Sequence, residues 1–226
     1  YTPRDARRLM RTLSESTNGL ARIRPLAISR DGRVCEMVEY DAPGEPTDDR
    51  PVLWIQARQH AWESASSWVA EGFARWFFSD APAAVKLRKT ADLRLVPIMD
   101  VDNAATGNGG KDELPHDHNR DWSEKPHHYA VAAAQTELRT LLQTDRPMVF
   151  LDLHNPIWRS QNAYFFVPPL KEIRPELIPE TQRFIGIVRK TVTGPIPLGA
   201  HDPETQREDP TTWRNKANVW VVTNGH

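Results

Sequence analysis

Apolar positions along the chain recur with two periods, and the order in which those periods alternate predicts the architecture. Arg4 to Leu13 reads as a polar, arginine-rich opening helix that ends near Asn18-Gly19. Val34 to Tyr40 alternates apolar and polar residues, the mark of a half-buried strand. After a Pro/Gly/Asp loop from Ala42 to Arg50, Pro51 to Ala57 gives a nearly continuous apolar strand, suited to a sheet covered on both faces. Ser64 to Phe78 then carries Ala65, Trp68, Val69, Gly72, Phe73, Trp76 and Phe77 at helical spacing, which predicts that its aromatic residues are core. Leu93 to Met99 is a further strand and leads into a long polar loop from Asp100 to Lys125. Ala130 to Leu142 reads as a helix, Met148 to Leu153 as an apolar strand and Ala163 to Val167 as another. Thr181 to Thr193 follows as a helix with Phe184, Ile187 and Val188 on one stripe, and Val219 to Val222 as a final short strand. Strands alternating with helices predict an α/β fold: a mixed, mostly parallel central sheet with helices on both faces. With no internal repeat and no linker, residues 1–226 read as one domain.

Composition narrows the function classes. The 29 Lys and Arg against 30 Asp and Glu leave a formal net charge of −1. Such a balance gives no electrostatic footprint for nucleic acid or for an anionic membrane, and neither is expected as a partner. The longest apolar stretch, Ala65 to Phe78, is broken by Glu71 and Arg75 and is too short to span a bilayer. A single cysteine, Cys35, excludes an intrachain disulfide and a thiolate-rich zinc cluster. It reads as a small buried hydrophobe on a strand, and its isolation points to a reducing, cytoplasmic setting. The chain opens on Tyr1 without a basic–apolar leader, so a processed product or a fragment is expected. Nothing in the pattern sets an oligomeric state.

The chemistry gathers where predicted strands end, the usual place for functional groups in an open α/β sheet. Gln59-His60-Ala61-Trp62-Glu63 lies between the strand at 51–57 and the helix at 64–78. Three-residue spacing puts His60 and Glu63 on one side of the first helical turn, within reach of one ion. His154 closes the strand at 148–153. Two imidazoles and one carboxylate with an open fourth position form the usual ligand set of a hydrolytic zinc. On its own, though, a His-x-x-Glu pair is more often a hydrogen-bonded structural feature, and at this point both readings stand.

The intervening loop carries Asp100-Val101-Asp102-Asn103, Gly107-Asn108 and His116-Asp117-His118-Asn119-Arg120-Asp121-Trp122. His-x-x-Glu, then Asp-x-Asn-Arg-x-Trp, then Asp-Leu-His, in that order, resembles the zinc carboxypeptidase family, that of carboxypeptidase A. The Gly-Asn step ahead of the Asn-Arg pair is similar to the cytosolic-carboxypeptidase branch. The resemblance implies removal of a C-terminal residue from peptides or proteins by metal-activated water, with one Zn²⁺ per chain held by His60, Glu63 and His154. It implies that Asn119 and Arg120 grip the substrate's terminal carboxylate, which a planar guanidinium can bind through both oxygens. It also implies that Asp117 holds the far side of the first zinc histidine.

Two features depart from the family pattern. Gly109 and Gly110 stand where the family branch has an oxyanion-stabilising arginine, which leaves Lys111 as the candidate catalytic cation. The family's general-base glutamate is expected beyond residue 226, with Glu208 as a fallback whose plainer reading is a solvated loop charge. Arg159 is a candidate contact for an acidic terminal side chain. His116, His118, His127 and His128 lack fixed ligand spacing and are not read as a second metal site. Two alternatives remain open: an aspartoacylase-like zinc deacylase of N-acyl amino acids, and a zinc-binding pseudoenzyme.

Overall fold

The structure is a computed structural model, and it describes residues 1–45, 47–111, 114–144, 146–155, 162–167, 173–199 and 215–224. Thr2 opens the first helix with a capping box: its Oγ1 accepts from the Asp5 backbone N–H, and the Asp5 carboxylate accepts from the Thr2 N–H at 2.8 Å. Pro3, which needs no helical N–H partner, is the first residue of helix α1 (Pro3–Ser16). Ala6, Leu9, Met10 and Leu13 form its buried face.

Strand β1 (Arg22–Ile28) is followed by β2 (Val34–Tyr40), β3 (Val52–Ala57), helix α2 (Ser64–Phe77), helix α3 (Pro82–Arg88) and β4 (Asp92–Val96). Helix α4 (Val101–Thr106), helix α5 (Tyr129–Leu142), β5 (Met148–Leu153), helix α6 (Ile178–Thr191) and helix α7 (Ala217–Asn224) complete the described elements. Among the described residues the sheet runs β1-β2-β4-β3-β5. It is mixed, as expected. Antiparallel pairing joins β1 to β2 and β2 to β4, and parallel pairing is confined to the β4-β3-β5 side.

Alternation along the strands sorts side chains onto two covered faces. Cys35, Met37, Trp54 and Val96 pack with α5, Trp122 and α7. Val38, Tyr40, Ile55, Leu93 and Leu95 pack with α1 and with Phe77 of α2. Each fully buried side chain of this size contributes about 1.5–3 kcal/mol relative to exposure. Arg24 on β1 binds Glu137 of α5 through two parallel bonds of 2.8 and 2.6 Å, which ties the edge strand to its helix.

Several expectations need correction. The stretch Val219–Val222 is helical, part of α7, and buries Ala217, Val219, Trp220 and Val221. Four apolar residues in a row fit a buried helix as well as a strand, and here packing against β5 and α5 decides. Ala163–Val167 forms only a single bridge, Ala163 to Leu198. The Asp100–Lys125 loop contains α4 and a 3-10 turn at His118–Arg120. On α2, Phe77 is core, but Trp68 is 50% and Trp76 38% exposed, so the aromatic face of that helix is only partly covered. Among the described residues no helix is long and apolar enough to cross a membrane.

Candidate metal centre

Parallel pairing of β3 with β5 is what brings the two predicted loops together. The register sets Ala57 opposite Leu153, so the segment leaving β3 and the residue after β5 emerge side by side. His60 sits in the first and His154 in the second. Glu63 occupies the position just before α2, with φ −83° and ψ 52°.

Glu63 is the wrong residue for that position by helix chemistry alone, because capping prefers Ser, Thr, Asp or Asn. Its carboxylate makes no capping bond. Instead Oε1 lies 2.7 Å from His60 Nδ1 and Oε2 lies 2.6 Å from His154 Nδ1. The capping role passes to Asn155, whose Oδ1 accepts from the Ser66 backbone N–H at 2.9 Å. Local helix preference is thus given up so that a carboxylate can face two imidazoles.

The loop around His60 is held from three sides. Arg58 adopts a left-handed backbone (φ 61°), unusual for a residue with a side chain. Its guanidinium donates to the carbonyls of Ala61 and Tyr1, each at 2.6 Å. The continuation of β4 pairs onto the same loop, with Met99 N–H on Ala57 O and Asp100 N–H on Arg58 O. From the other side the Trp62 N–H donates to Gly109 O at 3.0 Å. Gly110 has φ +78°, and a Cβ there would lie 2.5 Å from Asp100 Oδ2 and 2.7 Å from Ala61 N. Only glycine fits so close an approach.

The far nitrogens of both imidazoles face carboxylates. His60 Nε2–H donates to Asp117 Oδ1 at 3.1 Å, and His154 Nε2 stands 3.0 Å from Asp152 Oδ2. Burial disfavours charge on His154, yet Asp152 and Glu63 beside it outweigh this and hold its ring up to about 10. Burial likewise pushes the Glu63 carboxyl up, but bonds to His154 and His60 pull it down to about 2. His60 is raised and Asp117 lowered, in each case against burial and because of the bond between them.

A zinc ion fits these residues. The ligand atoms of His60, Glu63 and His154 lie within 4.8 Å of one another, the only such set among the described residues. Both histidines present Nδ1 inward and have Nε2 held by an acceptor, the arrangement that fixes ring orientation in zinc sites. Metal and protons compete for the two Nδ1 atoms, because a ligating imidazole nitrogen has to be unprotonated.

The other expected residues are placed as follows. Asp117 Oδ1 stands 3.1 Å from His60 Nε2. Asn119 is buried. Its Oδ1 accepts from Gln59 Nε2 at 3.2 Å and from the Ala217 N–H at 3.1 Å, and its Nδ2 lies 3.2 Å from His154 Nε2. Arg120, partly exposed, donates through Nη1 to Asn119 O at 3.1 Å. Lys111 is partly buried, directly after the Gly110 contact with the metal loop. Arg159 and Glu208 lie outside the described residues. The four remaining loop histidines pack as pairs. His118 stacks on His128 with ring centroids 3.7 Å apart, and His127 Nδ1 lies 2.7 Å from Asp121 Oδ1.

Sequence reading missed Asp152 as a support for His154, and Asn155 as the cap of α2. It also missed the buried glutamines Gln56 and Gln59, both 0% exposed. A signal was present: an amide and a carboxylate inside otherwise apolar strands have to find partners.

Comparison with known proteins agrees with this geometry. The profile of the family described as zinc carboxypeptidase matches residues 6–155. Cytosolic carboxypeptidase 1 of Danio rerio is 30% identical over 153 residues, covering 62% of this chain and 13% of its own length. Cytosolic carboxypeptidase 6 of Caenorhabditis elegans is 30% identical over 129 residues, covering 54% of this chain and 28% of its own length. The chain therefore spans less than a third of the length of these curated relatives. The crystal structure of a metallo-carboxypeptidase from Burkholderia cenocepacia superposes with a TM-score of 0.78 at 18% identity, over 98% of this chain and 56% of that one. At that identity the likeness shows the fold. The comparisons favour the peptidase reading over the deacylase.

Proposed function

This chain belongs to the zinc carboxypeptidase family, as the match over residues 6–155 shows, and from that premise we propose that it removes the C-terminal residue of a peptide or protein, with one zinc held by His60, Glu63 and His154. The observation that carries the reading is the convergence of two Nδ1 atoms on one carboxylate, with each imidazole backed by a second carboxylate.

Zinc bound there supplies Lewis acidity to the scissile carbonyl and activates water near neutral pH. The chain's own residues do the rest. Asp117 and Asp152 keep the Nε2 protons in place, so the Nδ1 lone pairs point inward. Arg120, backed by Asn119, receives the terminal carboxylate; its fork geometry favours a free chain end over an internal peptide bond. Lys111 is the proposed donor to the developing oxyanion, and Arg159 a proposed contact for an acidic terminal side chain. No general base is assigned among the described residues.

The names of the relatives and the lone buried cysteine support a cytoplasmic, reducing setting. The function is tested by zinc quantification together with hydrolysis of paired peptides carrying free or amidated C-termini. Cleavage of the free member alone is expected, and Arg120→Ala should raise KM for it by at least tenfold (about 1.4 kcal/mol) with a smaller change in kcat. Equal cleavage of the amidated peptides would remove the clamp from the account.

A further inference from the structure

Gln59 bonds directly to Asp152, which supports His154, and to Asn119 and Trp122 of the substrate-gripping loop, where the Asn119 backbone leads on to Asp117 behind His60. Its Oε1 accepts the Trp122 indole N–H at 2.6 Å. Its Nε2 donates to Asp152 Oδ2 and lies 3.2 Å from Asn119 Oδ1. Asp152 Oδ2 is the same atom that faces His154 Nε2 at 3.0 Å. The Asn119 backbone N–H binds Asp117 Oδ1 at 2.7 Å, and that oxygen also holds His60. Gln56 completes the arrangement: it accepts from the Trp54 indole at 3.0 Å and donates to the second Asp152 oxygen at 3.2 Å. The carboxylate behind His154 is thus gripped at both oxygens by buried amides.

We propose that Gln59 is a positioning residue that sets the His154 imidazole, through Asp152, and the Asn119-Arg120 loop, through Asn119 and Trp122, so that metal affinity and grip on the terminal carboxylate are coupled through one carboxamide. The half concerning grip rests on the peptidase reading; the half concerning metal does not. The chemistry is specific to an amide. One end must accept from an indole, and the other must offer N–H to two oxygens. Glutamate would face Asp152 with a second negative charge, and methionine would leave the Trp122 N–H and one Asp152 lone pair unpartnered in a buried place. A purely architectural glutamine would lower stability when replaced, yet leave zinc affinity of the folded protein unchanged.

The test compares Gln59→Met, Asp152→Asn and the double variant in the full chain, reading zinc affinity by competition with a chromophoric chelator well below each melting temperature. Gln59→Met should weaken zinc by about 10–100-fold, the usual effect of losing a partner behind a metal ligand. The double variant should be weaker than Asp152→Asn alone by less than the Gln59→Met effect, because the two act along one path. If Gln59→Met does not fold, Trp122→Phe removes the indole N–H together with part of a buried ring, which lowers the melting temperature, and the protein that stays folded should still bind zinc several-fold more weakly. Zinc affinity within twofold of the parent in a folded Gln59→Met or Trp122→Phe protein overturns the proposal, as does full additivity in the double variant. Weakened zinc in a protein whose parent cleaves no peptide supports the metal half and sinks the peptidase reading instead. In an active parent, Gln59→Met should raise KM for free C-termini as well as weaken zinc. A KM that does not move overturns the coupling.

Discussion

Gly110 offers a controlled test of how tightly the metal loop is packed. Two glycines nearby share a left-handed backbone, Gly107 at φ +83° and Gly110 at φ +78°. A methyl group on Gly107 would meet nothing within 4 Å, whereas one on Gly110 would press on Asp100 Oδ2 at 2.5 Å, Ala61 N at 2.7 Å and Ala61 Cβ at 3.0 Å. Gly107→Ala therefore bears the conformational penalty alone, about 1–2 kcal/mol. Gly110→Ala bears the same penalty and overpacking besides, which adds roughly 1–3 kcal/mol. In a chain of this size each kcal/mol moves the melting temperature by about 2–4 °C. Because Ala61 follows His60 directly, and Trp62 is bonded to Gly109, relief of the clash has to move the metal loop. The assay is urea unfolding of both variants with chelator, followed by zinc affinity. Gly110→Ala should be the less stable of the two and should alone lose zinc affinity, by about tenfold or more. Equal stability of the two variants, or unaltered zinc binding in Gly110→Ala, would refute the argument that close packing against Gly110 positions His60.

Three further outcomes follow from the same geometry. Asp117→Asn should weaken zinc by about 10–100-fold, read by chelator competition, because the amide no longer holds the His60 proton as a carboxylate does; unchanged affinity would contradict that support. In ion-free protein, stability should be greatest between about pH 4.5 and 6.5. Glu63, lowered from 4.5 to about 2, contributes above its unfolded value and loses that contribution as pH falls towards 2; His154, raised from 6.5 to about 10, contributes below its unfolded value and loses it as pH rises towards 10. Melting curves of chelated parent and His154→Ala across pH check this, and identical profiles for the two would contradict it. Cys35 is 1% exposed and burial pushes its thiol up from 9.0 to about 12, which means about a thousandfold less thiolate than a free cysteine at neutral pH. Native protein should resist an aromatic disulfide reagent that labels it promptly in urea, and rapid native labelling would contradict that burial.

The sequence was most legible where one physical demand acted alone. Val34–Tyr40 and Met148–Leu153 match their strands residue for residue, because alternation and a continuous apolar run leave few other structures. Strand β1 escaped notice because it is an edge. Arg22, Arg24 and Pro25 interrupt its apolar pattern, and its partners are Glu39, Asp41 and Glu137. Helix α3 is short, and its start at Pro82 is its one strong signal. The convergence of His60, Glu63 and His154 was legible because they fall at strand and helix ends whose order predicts that they meet. Asp152 went unread although it stands two residues from His154, and the Gln59–Asp152 and Asn155–Ser66 bonds span 93 and 89 residues that only the β3–β5 register brings together.

His60 and Glu63, three residues apart, are held to share one ion with His154, 91 residues beyond Glu63. Crystals grown with zinc and measured on both sides of the zinc absorption edge test it directly. One anomalous peak is predicted, with His60 Nδ1 and His154 Nδ1 at about 2.0–2.1 Å and Glu63 oxygen at about 2.0–2.2 Å. A peak elsewhere, or a His154 ring rotated so that Nδ1 faces away from Glu63, would contradict it.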